Sequence, residues 1–419
     1  MSDPRPDPMP GPMPEPLVPG PRTAELLDRY AASLLGVFGV PQLVLDHGEG
    51  PWVWDVDGNR YLDLVGGIAV NALGHAHPVL VSAVAEQAAA MVHISNFYTS
   101  AAQVGLAERI LAAAGAPEGS AVFFANSGTE AVEAAVKLAR RTGRTDIVAA
   151  EGGFHGRSTG ALALTHKPAY RDPFAPLLPG VRHVPYDDVD ALAAAVTQAT
   201  SAVVLEPIQG EAGVIVPDPA YLTAAREITA RAGALLILDE VQTGVGRTGT
   251  WFAFQQAGIL PDAVTLAKGL GGGVPVGALV TMGPRVSHLL APGQHGSTFG
   301  GNPLAAAAGI AVLDTIERDG LLAHATAMGE HLVARIDALG HPVVAGVRGA
   351  GLLRAIVLTA DVAPAVAVAA RSAGFLVNAV TPSALRLAPP LVVTADQLDS
   401  FVEVLPGLLD SATSQEGTR

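Results

Sequence analysis

Residues 234–242 read ALLILDEVQ: an apolar run from Ala234 to Leu238 passes directly into Asp239 and Glu240, then Val241 and Gln242. So short and so continuously apolar a run fits a strand buried on both faces of a parallel sheet. Ligands of such sheets sit in the crevice beyond the carboxyl ends of the strands, where Asp239 and Glu240 stand. Alone, the two carboxylates are as readable as metal ligands or as a plain solvated strand end.

Two neighbouring stretches repeat the pattern. Ala263 to Ala267 is a second apolar strand, ending on Lys268 and the run Gly269-Leu270-Gly271-Gly272-Gly273. A lysine set between a buried strand and glycines is oddly placed for a surface charge. Desolvated, it becomes a neutral amine able to attack a carbonyl and form an imine. The bland alternative, a phosphate-binding Gly-Lys loop, lacks the Walker A spacing. Upstream, Ala121 to Ala125 leads through Asn126 into Ser127-Gly128-Thr129-Glu130, a capping box with Ser127 at the N-cap and Glu130 reaching back. A glycine at a helix N-terminus lets a phosphate approach free N–H groups and the positive dipole end. By itself this is more often an ordinary capped helix. Together the three strand ends suit one cofactor, pyridoxal phosphate (PLP). The cradle takes its phosphate, the carboxylate keeps its ring nitrogen protonated, and the lysine takes its aldehyde.

Further strands are expected at Ile147 to Ala150 and Ala202 to Glu206, each followed by Ala-rich helical pattern. The expected fold is therefore α/β, with a mainly parallel sheet in a large domain over 75–318. A smaller α+β unit is expected over 319–410, with helical pattern from Asp396 to Leu409 and a tail at 411–419. Trp52 to Leu64 reads as a hairpin around Asp57-Gly58, within a segment, 22–74, expected to join the smaller unit. Residues 1–21 hold nine prolines and read as a disordered tail without the basic and apolar regions of a secretory signal.

Net charge is −14, with 25 Lys and Arg against 39 Asp and Glu, so a nucleic-acid partner is not expected. Mean hydropathy is +0.37, yet no apolar stretch reaches the roughly 18 residues of a membrane span. There is no cysteine, which excludes disulfides and thiolate metal sites and agrees with a cytoplasmic location. His75 and His77 lack a third ligand at zinc spacing, so no metal is expected.

Across 24–409 the chain resembles the class III (ω-amino acid) aminotransferases of PLP fold type I. The resemblance rests on Gly66 to Val70, Gly74 to Pro78, Asn126 to Glu130, Phe154 to Arg157, Glu206 to Glu211, Asp239 to Gln242, Gly246 to Gly249, Lys268, His295 to Thr298 and Arg386 to Pro389. It implies that Gly128 and Thr129 hold the cofactor phosphate and that Thr298 reaches it from the second subunit of a homodimer. Phe154 and Val241 would pack the two ring faces, Asp239 would pair with the ring nitrogen, and Gln242 would approach the phenolic oxygen. Glu240 belongs to the same cofactor-binding motif. Lys268 would carry the cofactor and shuttle the proton. Arg157 and Ser297 would contact substrate, and Arg386 would grip an α-carboxylate with Glu211 as its alternating partner.

Within the family the chain is most similar to acetylornithine aminotransferases of arginine biosynthesis. Ile68 stands where ornithine aminotransferases carry a tyrosine, which suits an acylated α-nitrogen. The implied reaction moves the terminal amino group of N2-acetylornithine to 2-oxoglutarate, giving N-acetylglutamate 5-semialdehyde and glutamate. Succinylated donors, ornithine and γ-aminobutyrate remain alternatives. So does an aminomutase of the same fold, although that enzyme would not need the Glu211–Arg386 pair.

Overall fold

A computed structural model describes residues 20–416. The strands are β1 (Leu45–Glu49), β2 (Trp52–Asp55), β3 (Arg60–Asp63), β4 (Ala121–Ala125), β5 (Asp146–Ala150), β6 (Val181–Val184), β7 (Thr200–Leu205), β8 (Leu235–Asp239), β9 (Ala263–Leu266), β10 (Gly277–Thr281), β11 (Val344–Ala350), β12 (Leu353–Leu358), β13 (Phe375–Leu376), β14 (Asn378–Thr381) and β15 (Ala384–Leu387).

Seven of them form the central sheet in the order β4-β10-β9-β8-β7-β5-β6. Only β10 runs against the rest, antiparallel to both β4 and β9; the other pairings are parallel. Every residue of β7, β8 and β9 is buried. Helices cover both faces, so these strands show no alternation of buried and exposed positions. The helix Gly128–Arg140 alone buries Ala131, Val132, Ala134, Ala135, Val136, Leu138 and Ala139. Two strands, β6 and β10, were not expected. Strand β6 reads VRHV and lies at the sheet edge, and β10 follows the glycine run that masks its start. Gly277 opens β10 because a Cβ there would stand 2.3 Å from the Ser127 carbonyl oxygen.

The hairpin of β2 and β3 forms as expected, extended by β1. Asp55 shapes its turn by accepting from the N–H groups of Asp57 and Asn59 at 3.0 and 2.8 Å and from the Tyr61 hydroxyl at 2.9 Å. Strand β13 joins it parallel to β3, so the C-terminal region pairs with the N-terminal one. A third sheet, wholly antiparallel, has the order β11-β12-β15-β14.

The expected ends need correction. Of the proline-rich tail placed at 1–21, residues 1–19 lie outside the described residues. Pro21 starts the helix Pro21–Ser33 at a position where its missing N–H costs nothing. Asp57 caps this helix, accepting from the N–H groups of Arg22 and Thr23, each at 3.1 Å. The last helix runs over Ala395–Glu416 instead of ending near Leu409. Its buried stripe of Phe401, Leu405, Leu408 and Leu409 continues to Ala412, which the proposed 411–419 tail overlooked.

Candidate active site

Strands β4, β8 and β9 deliver their carboxyl ends to one cavity of about 640 Å³, within the usual size of a small-molecule site. Its walls bring together Gly128, Thr129, Phe154, Arg157, Glu211, Asp239, Val241, Gln242 and Lys268. Residues more than a hundred positions apart in sequence therefore face one space.

Asp239 is 4% exposed and is held on three sides. One carboxylate oxygen takes a hydrogen bond from Thr265 Oγ1 at 2.9 Å and from the Val241 N–H at 3.1 Å. The other lies 2.7 Å from His155 Nδ1. Burial alone would pull the His155 pKa down, but its hydrogen bond to Asp239 and the charges of Asp239 and Glu206 carry it above the usual imidazole value. His155 and Thr265 thereby fix the Asp239 carboxylate in one orientation at the floor of the cavity. His155 and Glu206 lay inside motifs of the resemblance without a role, and Thr265 was missed. Glu206 accepts from the N–H groups of Phe154 at 2.9 Å and Gly210 at 3.2 Å, fixing the loop that carries Phe154. Burial pushes the Glu206 carboxyl up to about 7.

Lys268 follows β9 with φ +42°, a left-handed conformation that a side chain adopts at a cost of order 1–3 kcal/mol and that clusters at functional sites. Burial lowers its pKa and favours the neutral, nucleophilic amine, with Glu211 opposing and Arg386 reinforcing the shift. Among the described residues Lys268 enters no ion pair.

At the head of the helix Gly128–Arg140, the N–H groups of Gly128 and Thr129 have no intrahelical acceptor. A Cβ on Gly128 would stand 2.9 Å from a Val241 methyl, so only glycine leaves this corner open. The Thr129 hydroxyl lies 2.6 Å from Ser158 Oγ. The expected capping box is only half formed. Ser127 Oγ accepts from the Glu130 N–H at 3.3 Å, while Glu130 reaches past the cap to the Asn126 N–H at 2.6 Å.

Arg386 is 2% exposed and lies behind Glu211 and Gln242. It pairs with Glu211 and donates to Gln242 Oε1 at 3.1 Å and to Asn378 Oδ1 at 2.8 Å. Asn378 is its cross-strand neighbour on β14, a partner that no sequence motif announced. Burial would raise the Glu211 carboxyl, but the charge and hydrogen bond of Arg386 prevail and hold it below the usual range. Arg157 points elsewhere, its guanidinium carbon 3.6 Å from the centroid of the Tyr170 ring.

Gly66, Gly67, Ile68 and Ala69 all have φ between +56° and +64°. They make a left-handed turn closed by hydrogen bonds from the N–H groups of Ala69 and Val70 to the carbonyls of Val65 and Gly66. A β-branched residue is a genuine outlier there. The turn sets Ile68 in the cavity wall, 38% exposed.

Three expected site residues lie elsewhere. Glu240 faces away from the cavity. Its carboxylate accepts from Thr243 Oγ1 at 2.6 Å and from the N–H groups of Ala253 and Phe254 at 2.9 and 2.8 Å, and so anchors the turn Ala253–Gln255. Adjacent residues leaving a strand point to opposite sides, so Asp239 and Glu240 cannot share one role. Ser297 and Thr298 are outside this chain's own cavity. Ser297 Oγ accepts from Asn126 Nδ2 at 2.8 Å, and Thr298 is exposed on the same loop.

These residues fit PLP. The open corner at Gly128 with its two N–H donors matches a phosphate, Asp239 retains acceptor capacity beyond its three partners, and Lys268 faces the same space. Among the described residues no cluster of three or more His, Asp or Glu is placed to hold a metal ion.

The profile of the family "Aminotransferase class-III" matches residues 38–409. An acetylornithine aminotransferase of Streptomyces coelicolor is 57% identical over 389 residues, covering 93% of this chain and 96% of the relative. One of Mycobacterium tuberculosis H37Rv is 56% identical over 390 residues, covering 93% and 97%. Among solved structures, the ornithine aminotransferase of Toxoplasma gondii ME49 matches with a TM-score of 0.88 at 30% identity, covering 95% of this chain and 96% of that one. The acetylornithine aminotransferase of Elizabethkingia anophelis matches with a TM-score of 0.81 at 32% identity, covering 92% and 98%.

Proposed function

This chain belongs to the class-III aminotransferase family, and from that premise we propose that it transfers the terminal amino group of N2-acetyl-L-ornithine to 2-oxoglutarate. The products are N-acetyl-L-glutamate 5-semialdehyde and L-glutamate. Relatives named for this activity at 52–57% identity support the substrate. The observation that carries a two-substrate reaction is the buried Arg386 paired with a half-exposed Glu211 that can leave it.

Bound PLP supplies an aldehyde for the amine and a protonated ring that draws electrons from the reacting carbon. The chain's own residues do the rest. Gly128 and Thr129 would hold the phosphate, Asp239 backed by His155 would pair with the ring nitrogen, and Phe154 and Val241 would pack against the ring. Lys268 Nζ takes and returns the proton at the reacting carbon. Arg157 holds the distant carboxylate of acetylornithine while Glu211 neutralises Arg386. When glutamate or 2-oxoglutarate binds, Glu211 withdraws, Arg386 takes the α-carboxylate bidentately, and Arg157 takes the side-chain carboxylate.

With 2-oxoglutarate as acceptor, kcat/KM for acetylornithine should exceed those for ornithine and γ-aminobutyrate by at least about tenfold, the factor that 1.4 kcal/mol of differential binding gives. A steady-state comparison that includes succinylornithine checks it, and a preference for a free α-amino donor refutes it.

We further propose a homodimer in which Thr298 completes the partner's phosphate site. Phe299 lies on that loop, and Phe97 and Tyr98 follow Asn96, whose Nδ2 donates to the Ser297 carbonyl at 2.8 Å; the three are 60%, 92% and 75% exposed, more apolar surface than a monomer usually shows water. The dimer should be the smallest active species by light scattering at assay concentration; an active monomer contradicts this. A cytoplasmic location goes with the reading. Among the described residues no helix is long and apolar enough to cross a membrane.

A further inference from the structure

Arg157 is exposed at the cavity wall and forms no ion pair among the described residues. A guanidinium in that position has rotamer freedom to lose before it can clamp a carboxylate. One side chain restrains it. The Tyr170 ring centroid is 3.6 Å from Arg157 Cζ, at van der Waals contact, while the Phe154 ring lies farther off at 5.7 Å. Tyr170 itself stands edge-on to Phe154 at 6.3 Å and lines the same cavity. Its helix, Pro168–Arg171, is tied down by Arg171, whose Nη1 is 3.0 Å from His183 Nδ1.

The chemistry of the contact matters. A carboxylate partner would consume the in-plane N–H donors of Arg157. A ring against the guanidinium face holds the cation through the aromatic quadrupole and leaves those donors free for a bidentate ligand. Among the described residues the Tyr170 hydroxyl forms no hydrogen bond, so the ring and not the hydroxyl is the working part.

We propose that Tyr170 is a positioning residue for both half-reactions, its ring presenting Arg157 to whichever substrate carboxylate enters. The inference rests on the assignment of Arg157 as the carboxylate clamp, and the test separates the two.

Holoenzyme carrying Tyr170→Phe, Tyr170→Leu, Arg157→Ala or Arg157→Ala with Tyr170→Leu is assayed for KM and kcat with acetylornithine and 2-oxoglutarate. Glutarate, which has two carboxylates and no reacting group, gives affinity without turnover. Tyr170→Leu should weaken glutarate and raise both KM values about threefold to thirtyfold, the range of a cation–π contact, with kcat nearly unchanged. Tyr170→Phe should match the parent, and Tyr170→Leu should add nothing to Arg157→Ala. Should the leucine variant not fold, Tyr170→Trp, with the strongest ring face, should retain parental affinity. The proposal is overturned if phenylalanine fails to rescue, if the losses of the two single variants add in full, or if Tyr170→Leu changes nothing while Arg157→Ala weakens glutarate strongly. Arg157→Ala without effect on glutarate removes the clamp itself and the inference with it.

Discussion

Lys268→Ala should cut turnover by at least roughly 10²–10⁴-fold, the share that a positioned acid–base group contributes, while leaving the protein folded. The first half follows from place. Lys268 is delivered by a wholly buried strand to a cavity shared with Asp239, and burial favours its neutral amine. The second half follows from what the lysine does not do. It enters no ion pair among the described residues, so alanine removes a desolvated amine without breaking a salt bridge, at a backbone φ of +42° that it leaves unchanged. Thermal melting that matches the parent, together with single-turnover rates for each half-reaction, checks both parts. A variant that loses activity only by unfolding contradicts the assignment, as does one that retains parental turnover.

Arg386→Ala should separate the two half-reactions. Acetylornithine reacts at the end far from its α-carboxylate, whereas glutamate reacts at the carbon that bears one, so one site must hold carboxylates at two distances. Arg386 is buried with Glu211, Gln242 and Asn378 as partners. Removing a buried charged contact costs about 2–5 kcal/mol, roughly thirtyfold to several thousandfold. That loss should fall on the glutamate half-reaction, with the acetylornithine half much less affected because Glu211 occupies Arg386 there. Arg157→Ala should harm both halves. Glu211→Ala should leave Arg386 permanently available and favour donors whose carboxylate sits beside the reacting amine. Equal losses in both halves for Arg386→Ala would refute the gate.

How much of this was legible depended on how each residue reaches the site. Strands β8 and β9 are wholly buried and β4 is buried at its carboxyl end, and their apolar runs end where the chemistry begins, so Gly128, Asp239 and Lys268 stood out in a single sequence. Glu240 stood out equally and was misplaced, because composition does not tell which of two neighbouring carboxylates faces the crevice. Strand β10 hid behind the glycine run that follows Lys268, and β6 behind the polar residues that an edge strand tolerates. Asn378 enters through the register of β14 on β15, and Tyr170 through a four-residue helix that leaves no periodic signal. His155 showed its importance only through its 2.7 Å contact with Asp239. Contacts fixed by tertiary register have no local pattern to read.

The central claim is that this cavity holds PLP on Lys268. Sodium borohydride fixes PLP covalently to the amine that carries its aldehyde, and peptide mapping of the reduced holoenzyme then identifies that amine. The pyridoxyl group should be found on the peptide containing Lys268. Recovery on any other lysine would contradict the account.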